Sequence, residues 1–320
     1  MHKRLNQILL LLCFLFLLFS CGKQGKVPTY LGFNNIDLNN NKVTFMGDTQ
    51  QISHWEFWRE VNINKSSKLL REIVSKKPAF VIHLGDLVTY GSLNEHWKIF
   101  DEIHSPLITN QIAFFPIFGN HDYSIAKEAA IRNYFSHFPY LKNQKWYSFT
   151  FRNVGFLMLD GNYKELSESE NQNQVKWYQE ELKKMETEPE IKFIIACCHQ
   201  PPFTNSRSVN PSVVVRKNFA EPFQKCKKTA IFFSGHCHSY EKFLEGGKYF
   251  IVSGGGGGHR QKLQINKKKR KFNDLFDGPA LRFFHFCEMT IYPDKLIIDI
   301  TKLNDDNSFS NVDKIVFQSN

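Results

Sequence analysis

Cysteine is scarce in this chain. Of seven in 320 residues, five (Cys197, Cys198, Cys226, Cys237 and Cys287) lie beyond the first 21, an odd and unpatterned set. That excludes a small fold stapled by disulfides and leaves room for at most a single bridge involving Cys226, Cys237 or Cys287 in an oxidising compartment. Cys197 and Cys198 are adjacent on a predicted strand and point to opposite faces. No linker divides the chain, so its 42% hydrophobic content can build one large core. The apolar run Ile8 to Phe19 has 12 residues, short of the roughly 20 that a spanning helix needs. The glycine run Gly254 to Gly258 has no Lys-Ser/Thr and following helix, as a phosphate-cradling loop would; it reads as backbone passing close to a site with positive φ angles. The basic run Lys267 to Lys271 has no interleaved aromatic residues, so it lacks a stacking platform and reads as a solvated loop. The net charge of +10 is basic, which attracts anions without saying which. No nucleic-acid partner is expected.

What is present begins with a leader. His2, Lys3 and Arg4 precede the apolar run, which ends at Ser20-Cys21, the pattern of a secretion signal. Leu18-Phe19-Ser20-Cys21 resembles a bacterial lipobox, with cleavage before Cys21 and lipid on its sulfur; an ordinary cleaved signal peptide is the alternative. Several acyl chains on one residue give stable anchoring, each buried methylene adding roughly 0.8 kcal/mol. The expected organisation is a signal peptide over 1–20, a polar tether over 21–41 and one domain over 42–320. The product is expected to be a monomer tethered to the membrane through Cys21 in the bacterial envelope, periplasmic or at the cell surface.

From Val43 onward apolar strand candidates alternate with helix candidates (Trp55 to Lys76, Leu93 to Ile103, Ser124 to Ser136, Gln172 to Met185, Val214 to Cys226). Strand followed by helix predicts mostly parallel sheet with covering helices. Trp146 to Arg152 and Val154 to Asp160 predict an antiparallel hairpin, and Tyr249 to Ser253, Arg282 to Tyr292 and Lys295 to Lys302 predict strands without intervening helices. The architecture this implies is two sheets packed face to face with helices outside.

Five segments place metal-binding side chains at the ends of apolar runs: Gly47-Asp48-Thr49-Gln50, Gly85-Asp86-Leu87-Val88, Gly119-Asn120-His121-Asp122, Cys198-His199-Gln200-Pro201 and Gly235-His236-Cys237-His238. Asp48 and Asp86 are charged oxygen donors, Asn120 a neutral carbonyl, and His199, His236 and His238 imidazoles. Such a mixture suits manganese, iron or zinc better than calcium or a thiolate-bound metal. Cys237, between two histidines, faces away from them on an extended segment. Hydrolysis of a phosphate ester needs an activated water and neutralised phosphoryl oxygens, and a pair of metal ions supplies both.

These segments resemble those of the calcineurin-like metallophosphoesterases over roughly Val43 to Tyr240 and, more loosely, to the C-terminus. The resemblance implies a four-layer α/β/β/α sandwich of two mixed β-sheets flanked by helices, hydrolysing a phosphate mono- or diester through a two-metal-activated water. It implies that Asp86 bridges two divalent or trivalent ions, with Asp48 and His238 on one and Asn120, His199 and His236 on the other. His121 would then protonate the leaving group or grip the phosphoryl oxygen, with Asp122 holding its ring. One position departs from the family's Asp-x-His: Gln50 offers a carbonyl oxygen in place of an imidazole, so the first site is expected to be weaker or tuned to a harder ion. Purple acid phosphatases also lack that histidine but carry a tyrosine where Thr89 stands here; Tyr90, one residue on, points to the wrong face. With no long second domain after Asn320, the two-domain arrangement of extracellular nucleotidases is not expected. A non-catalytic binding lipoprotein retaining the fold is the competing reading. Phe203, Thr204 and Asn205 could line a cleft or form a structural turn, and His259 and Arg260 could reach a phosphate. Asp160 and Asn162 end a strand near the site. Trp55, Trp58, Trp97 and Trp177, and His54, His83, His96, His104, His137 and His285, read as packing or surface residues.

Overall fold

The computed structural model describes residues 27–51 and 63–319. Among the described residues twelve strands form two six-stranded sheets. They are β1 (Lys42–Met46), β2 (Phe80–His83), β3 (Ala113–Pro116), β4 (Tyr147–Phe151), β5 (Val154–Leu159), β6 (Phe193–Cys198), β7 (Thr229–Ser234), β8 (Tyr240–Glu245), β9 (Lys248–Ser253), β10 (Phe284–Ile291), β11 (Lys295–Leu303) and β12 (Phe309–Gln318). One sheet runs β12-β11-β10-β1-β2-β3, the other β4-β5-β6-β7-β9-β8. In the first, β1, β2 and β3 are parallel; in the second, β5, β6, β7 and β9 are. These strands are buried on both faces, which is why they read as unbroken apolar runs. Phe45 of β1 stacks on Phe233 of β7 with ring centroids 4.0 Å apart, joining the two sheets.

The principal helices are α1 (Ile63–Ser75), α2 (Asn94–Thr109), α3 (Lys127–His137) and α4 (Glu168–Thr187). They bury Leu69, Leu70 and Ile73 from α1, Trp97, Phe100 and Leu107 from α2, and Tyr178, Leu182 and Met185 from α4. A last helical stretch runs Val213–Val215, a wide π turn Arg216–Ala220, and Glu221–Lys225. The four-layer sandwich expected from the resemblance is therefore the fold.

Three local features differ from the sequence reading. The stretch 21–41 is no free tether where it is described. Tyr30 is buried and bonds Asp101, and the Phe114 amide donates to the Leu31 carbonyl at 2.9 Å. The segment thus covers the open edge of β3, which would otherwise expose unpaired backbone. Helix α4 starts four residues before the expected Gln172, because Ser167 and Glu170 form a capping box. Strands β8 and β12 were not anticipated; β8 joins β9 through Gly246-Gly247, both at positive φ, the two-residue turn of a hairpin. All five described cysteines are buried free thiols, so no bridge links Cys226, Cys237 or Cys287. The leader, Cys21, His54, Trp55 and Trp58 lie outside the described residues.

Candidate metal centre

Every parallel strand that carries a motif ends on the same side of the sandwich, so five loops converge where the carboxyl ends of the two sheets meet, the usual crevice of such sheets. Asp48, Asp86 and His236 all adopt positive φ (60°, 55° and 67°), a costly conformation for residues bearing a Cβ and one held by its surroundings at functional sites. Here the surroundings are hydrogen bonds. The Asp48 amide donates to the Gly85 carbonyl at 3.0 Å, Thr49 and Gln50 amides donate to the Asp86 carbonyl, and the His236 amide donates to the Asp48 carboxylate at 2.9 Å. Gly119 lies so close to Asp86 that a Cβ there would overlap its backbone and carboxylate.

Two groups of donor atoms result. Asp48, Asp86 and His238 form one, and Asp86, His199 and His236 the other; within each, the ligand atoms lie within 4.8 Å of one another. Asp86 belongs to both. Gln50 joins the first, its Nε2 3.1 Å from both Asp86 Oδ2 and His238 Nε2, and Asn120 joins the second, its Oδ1 3.3 Å from His199 Nε2. The remaining ring nitrogens are held from behind: His199 Nδ1 by the Leu84 carbonyl and His238 Nδ1 by the His259 carbonyl, each at 2.7 Å, which orients Nε2 forward.

The electrostatics favour cations. Asp48 is fully buried and its carboxyl is raised by that burial. Burial would raise Asp86 too, but His199, His121 and His236 hold it below the usual carboxylate range. Burial pulls His199 down, yet Asp86 and Asp48 lift it to about 10. His236 is pushed down to about 3 by burial and then by His199. A buried carboxylate pair of this kind needs positive charge beside it. The donors fit metal ions on one further observation: Gln50 Oε1 is buried without a hydrogen-bond partner. Rotating that amide by half a turn, an assignment ordinarily made from hydrogen bonding, puts Oε1 among Asp86 and His238 as a ligand oxygen.

The sequence pattern of the calcineurin-like phosphoesterases (Metallophos) matches residues 41–240. The chain belongs to this family. Similar solved structures include a purple acid phosphatase from yellow lupin seeds (16% identity, TM-score 0.68), covering 87% of this chain and 53% of the lupin chain. This chain thus spans about half the length of that phosphatase. GAP50, the anchor in the inner membrane complex of Plasmodium, is 15% identical with TM-score 0.65, covering 87% and 89%. A dimetal phosphatase from Danio rerio is 11% identical with TM-score 0.58, covering 87% and 99%. At such identities the likeness is one of fold. No curated protein compared with the chain matches it.

Around this candidate centre, His121 has a different partner from the one expected. Asp122 does not hold that ring. It is fully buried and accepts from the backbone amides of Asp86, Leu87, Val88 and Gly119 at 2.8 to 3.3 Å, tying the second motif loop to the third. Burial and the Asp86 charge push its carboxyl up to about 8 against the pull of those donors. The carbonyl of Thr89 accepts from His121 Nδ1 at 2.8 Å instead, and the His121 amide donates to Asp86 Oδ1 at 2.9 Å. Tyr90 packs its ring on His96. Phe203, Thr204 and Asn205 are buried and structural: Thr204 and the Asn205 amide bind the buried Glu241, a residue the sequence reading passed over. Cys237 turns its thiol to Thr204, 3.3 Å away. The glycine run straps across the first motif, its Gly256 and Gly258 amides donating to the Gly47 and Asp48 carbonyls. Close approach explains these glycines, since of the run only Gly257 has positive φ. Trp177 is half-exposed and lines a cavity of about 680 Å³ with Trp146 and Phe33. A smaller one of about 360 Å³ shares Asn120 and His236 with the metal centre, so the larger cavity is not the one at the chemistry.

Proposed function

We propose that the protein hydrolyses a phosphate ester with two metal ions bound between Asp48, Gln50, Asp86, Asn120, His199, His236 and His238. The observation that carries this reading is the pair of donor groups sharing Asp86. Manganese, iron or zinc in these positions would neutralise the phosphoryl oxygens and lower the pKa of the attacking water. The chain's own part is positional. Nδ1 of His121 is committed to the Thr89 carbonyl, so Nε2 is the nitrogen offered to substrate, where its protonated form donates to the phosphoryl or leaving oxygen. Asp122 fixes the loop carrying Asp86, and the carbonyls of Leu84 and His259 keep two imidazoles aimed inward.

In this reading lipid on Cys21 tethers the enzyme to the bacterial envelope. Among the described residues no helix is long and apolar enough to cross a membrane. The competing reading, a binding lipoprotein that keeps the fold without catalysis, draws on Gln50 and on the anchor role stated for the Plasmodium relative. Turnover decides between them. Metal-reconstituted protein is expected to hydrolyse p-nitrophenyl phosphate or its bis ester with at least one of the three metals, and His121→Ala to lose about 10²-fold or more in kcat. Metal-loaded protein with no turnover on either ester would sink the enzyme reading.

A further inference from the structure

Beside the metal centre lies the 360 Å³ cavity lined by Asn120, Asn162, Tyr163, Lys164, Glu165, Gln200, Asn210, Ser212, Val214 and His236. Two of these, Asn120 and His236, belong to the second donor group, so whatever is attached to a bound phosphoryl group can extend into it. Its volume is near the lower end of ligand pockets, roughly 300–1,000 Å³. Its polar atoms come from four amides (Asn120, Asn162, Gln200 and Asn210), one serine hydroxyl and one tyrosine, set among surface that is largely apolar. Its two charged residues, Lys164 and Glu165, are of opposite sign.

Gln200 is rigidly backed. Its Nε2 donates to Asn162 Oδ1 at 3.3 Å, Asn162 Nδ2 donates to Asp160 Oδ1 at 2.8 Å and to the Phe118 carbonyl at 3.0 Å, and Tyr123 donates to Asp160 Oδ2 at 2.5 Å. Gln174 clamps the Asp160 backbone on both sides, accepting from its amide and donating to its carbonyl. Asp160, Asn162 and Gln174 are all buried. A polar network of this depth is costly unless satisfied; satisfied, it holds an amide at the cavity wall in one geometry. Asn162 takes one of the two Nε2 hydrogens, so Gln200 still offers one N–H donor and its Oε1 acceptor.

We infer that this cavity receives the alcohol portion of the substrate and that Gln200, with Asn162 behind it, selects an uncharged, hydroxyl-rich group of about monosaccharide size. The inference rests on the phosphoesterase reading of the metal centre. Amides and a serine hydroxyl match sugar or polyol hydroxyls, and the Tyr163 ring offers an apolar flank. An alkyl tail would leave these polar groups unpaired, and a second phosphate would find no surplus positive charge in the lining. A site built to bond hydroxyls discriminates strongly against analogues lacking them.

The test compares kcat/KM of metal-reconstituted protein on glucose 6-phosphate, butyl phosphate, ATP and p-nitrophenyl phosphate. Glucose 6-phosphate is expected to exceed butyl phosphate and ATP by at least about tenfold. Gln200→Leu is expected to cut the glucose 6-phosphate to butyl phosphate ratio about tenfold. Asn210→Ala, in an exposed position, should lower the same ratio about threefold and guards against misfolding of the first variant. Turnover of p-nitrophenyl phosphate with butyl phosphate or ATP preferred, or with a ratio indifferent to both variants, overturns the inference and leaves the phosphoesterase reading standing. Loss of all turnover with every metal overturns both.

Discussion

Asp122 illustrates what a single residue contributes. Adjacent to His121 in sequence, it was expected to orient that ring, yet its carboxylate gathers four amides from two loops and a carbonyl holds the histidine. The family resemblance implied the pairing, and the structure gives both side chains other partners. Asp122→Ala should therefore act on stability and metal binding together. It strands several buried amides, and a loss of about 3–5 kcal/mol is expected by denaturant unfolding, with weakened metal uptake. His121→Ala, by contrast, should leave metal content intact while lowering kcat. Gln50 makes a second prediction at this scale. Since its amide touches Asp86 and His238, Gln50→His should raise affinity for zinc at the first site by about tenfold or more, read by chelator competition. An unchanged affinity would mean that Gln50 is not a ligand.

Whole elements carry the next level. The strap Gly254 to Gly258 presses on the loop bearing Asp48, and a side chain at Gly256 would overlap the Gly47 carbonyl. Gly256→Val should lower both thermal stability and metal content, a pairing that a mutation in an ordinary surface loop would not produce. At the start of β8, Glu241 is buried beside Thr204 and Asn205, and burial raises its carboxyl from 4.5 to about 8. The folded protein keeps that proton up to about pH 8, whereas the unfolded chain releases it near 4.5. The stabilisation is thus complete below pH 4.5 and is lost as pH rises toward 8, by up to about 1.4 kcal/mol per unit. Glu241→Gln should flatten this slope in unfolding measurements across the window. Strand ends and helix starts were legible where chemistry marks them: the capping box at Ser167 and Glu170 and the Gly246-Gly247 turn were both readable from sequence and passed over. Strand β8 itself, mixing Glu241 and Lys242 into an apolar run, gave weak periodicity because Glu241 is buried by partners distant in sequence.

Over the molecule as a whole, the proposed function makes metal and proton competitors for one site. Asp86 and Asp48 raise His199 to about 10 against its burial, which favours a proton on it in the metal-free protein, while a ligand imidazole must be neutral. Loading the centre should release about one proton or more, and affinity should rise with pH up to about 10. Calorimetric titration in buffers of different ionisation enthalpy measures this directly. Chelation should also destabilise the fold, by about 2.7 kcal/mol where free metal had stood at a hundred times its Kd. Cys21→Ser should move the protein from membranes to the soluble fraction.

The order of residues alone was enough for the strand-and-loop rhythm and the family, because buried parallel strands write themselves as apolar runs and the motif loops must follow them at the open edge. That Thr89 rather than Asp122 serves His121 and that Gln200 is braced from a buried aspartate were decided only by the tertiary structure. These are contacts between loops far apart in sequence, and their partners are backbone groups that every residue carries, so no residue type announces them.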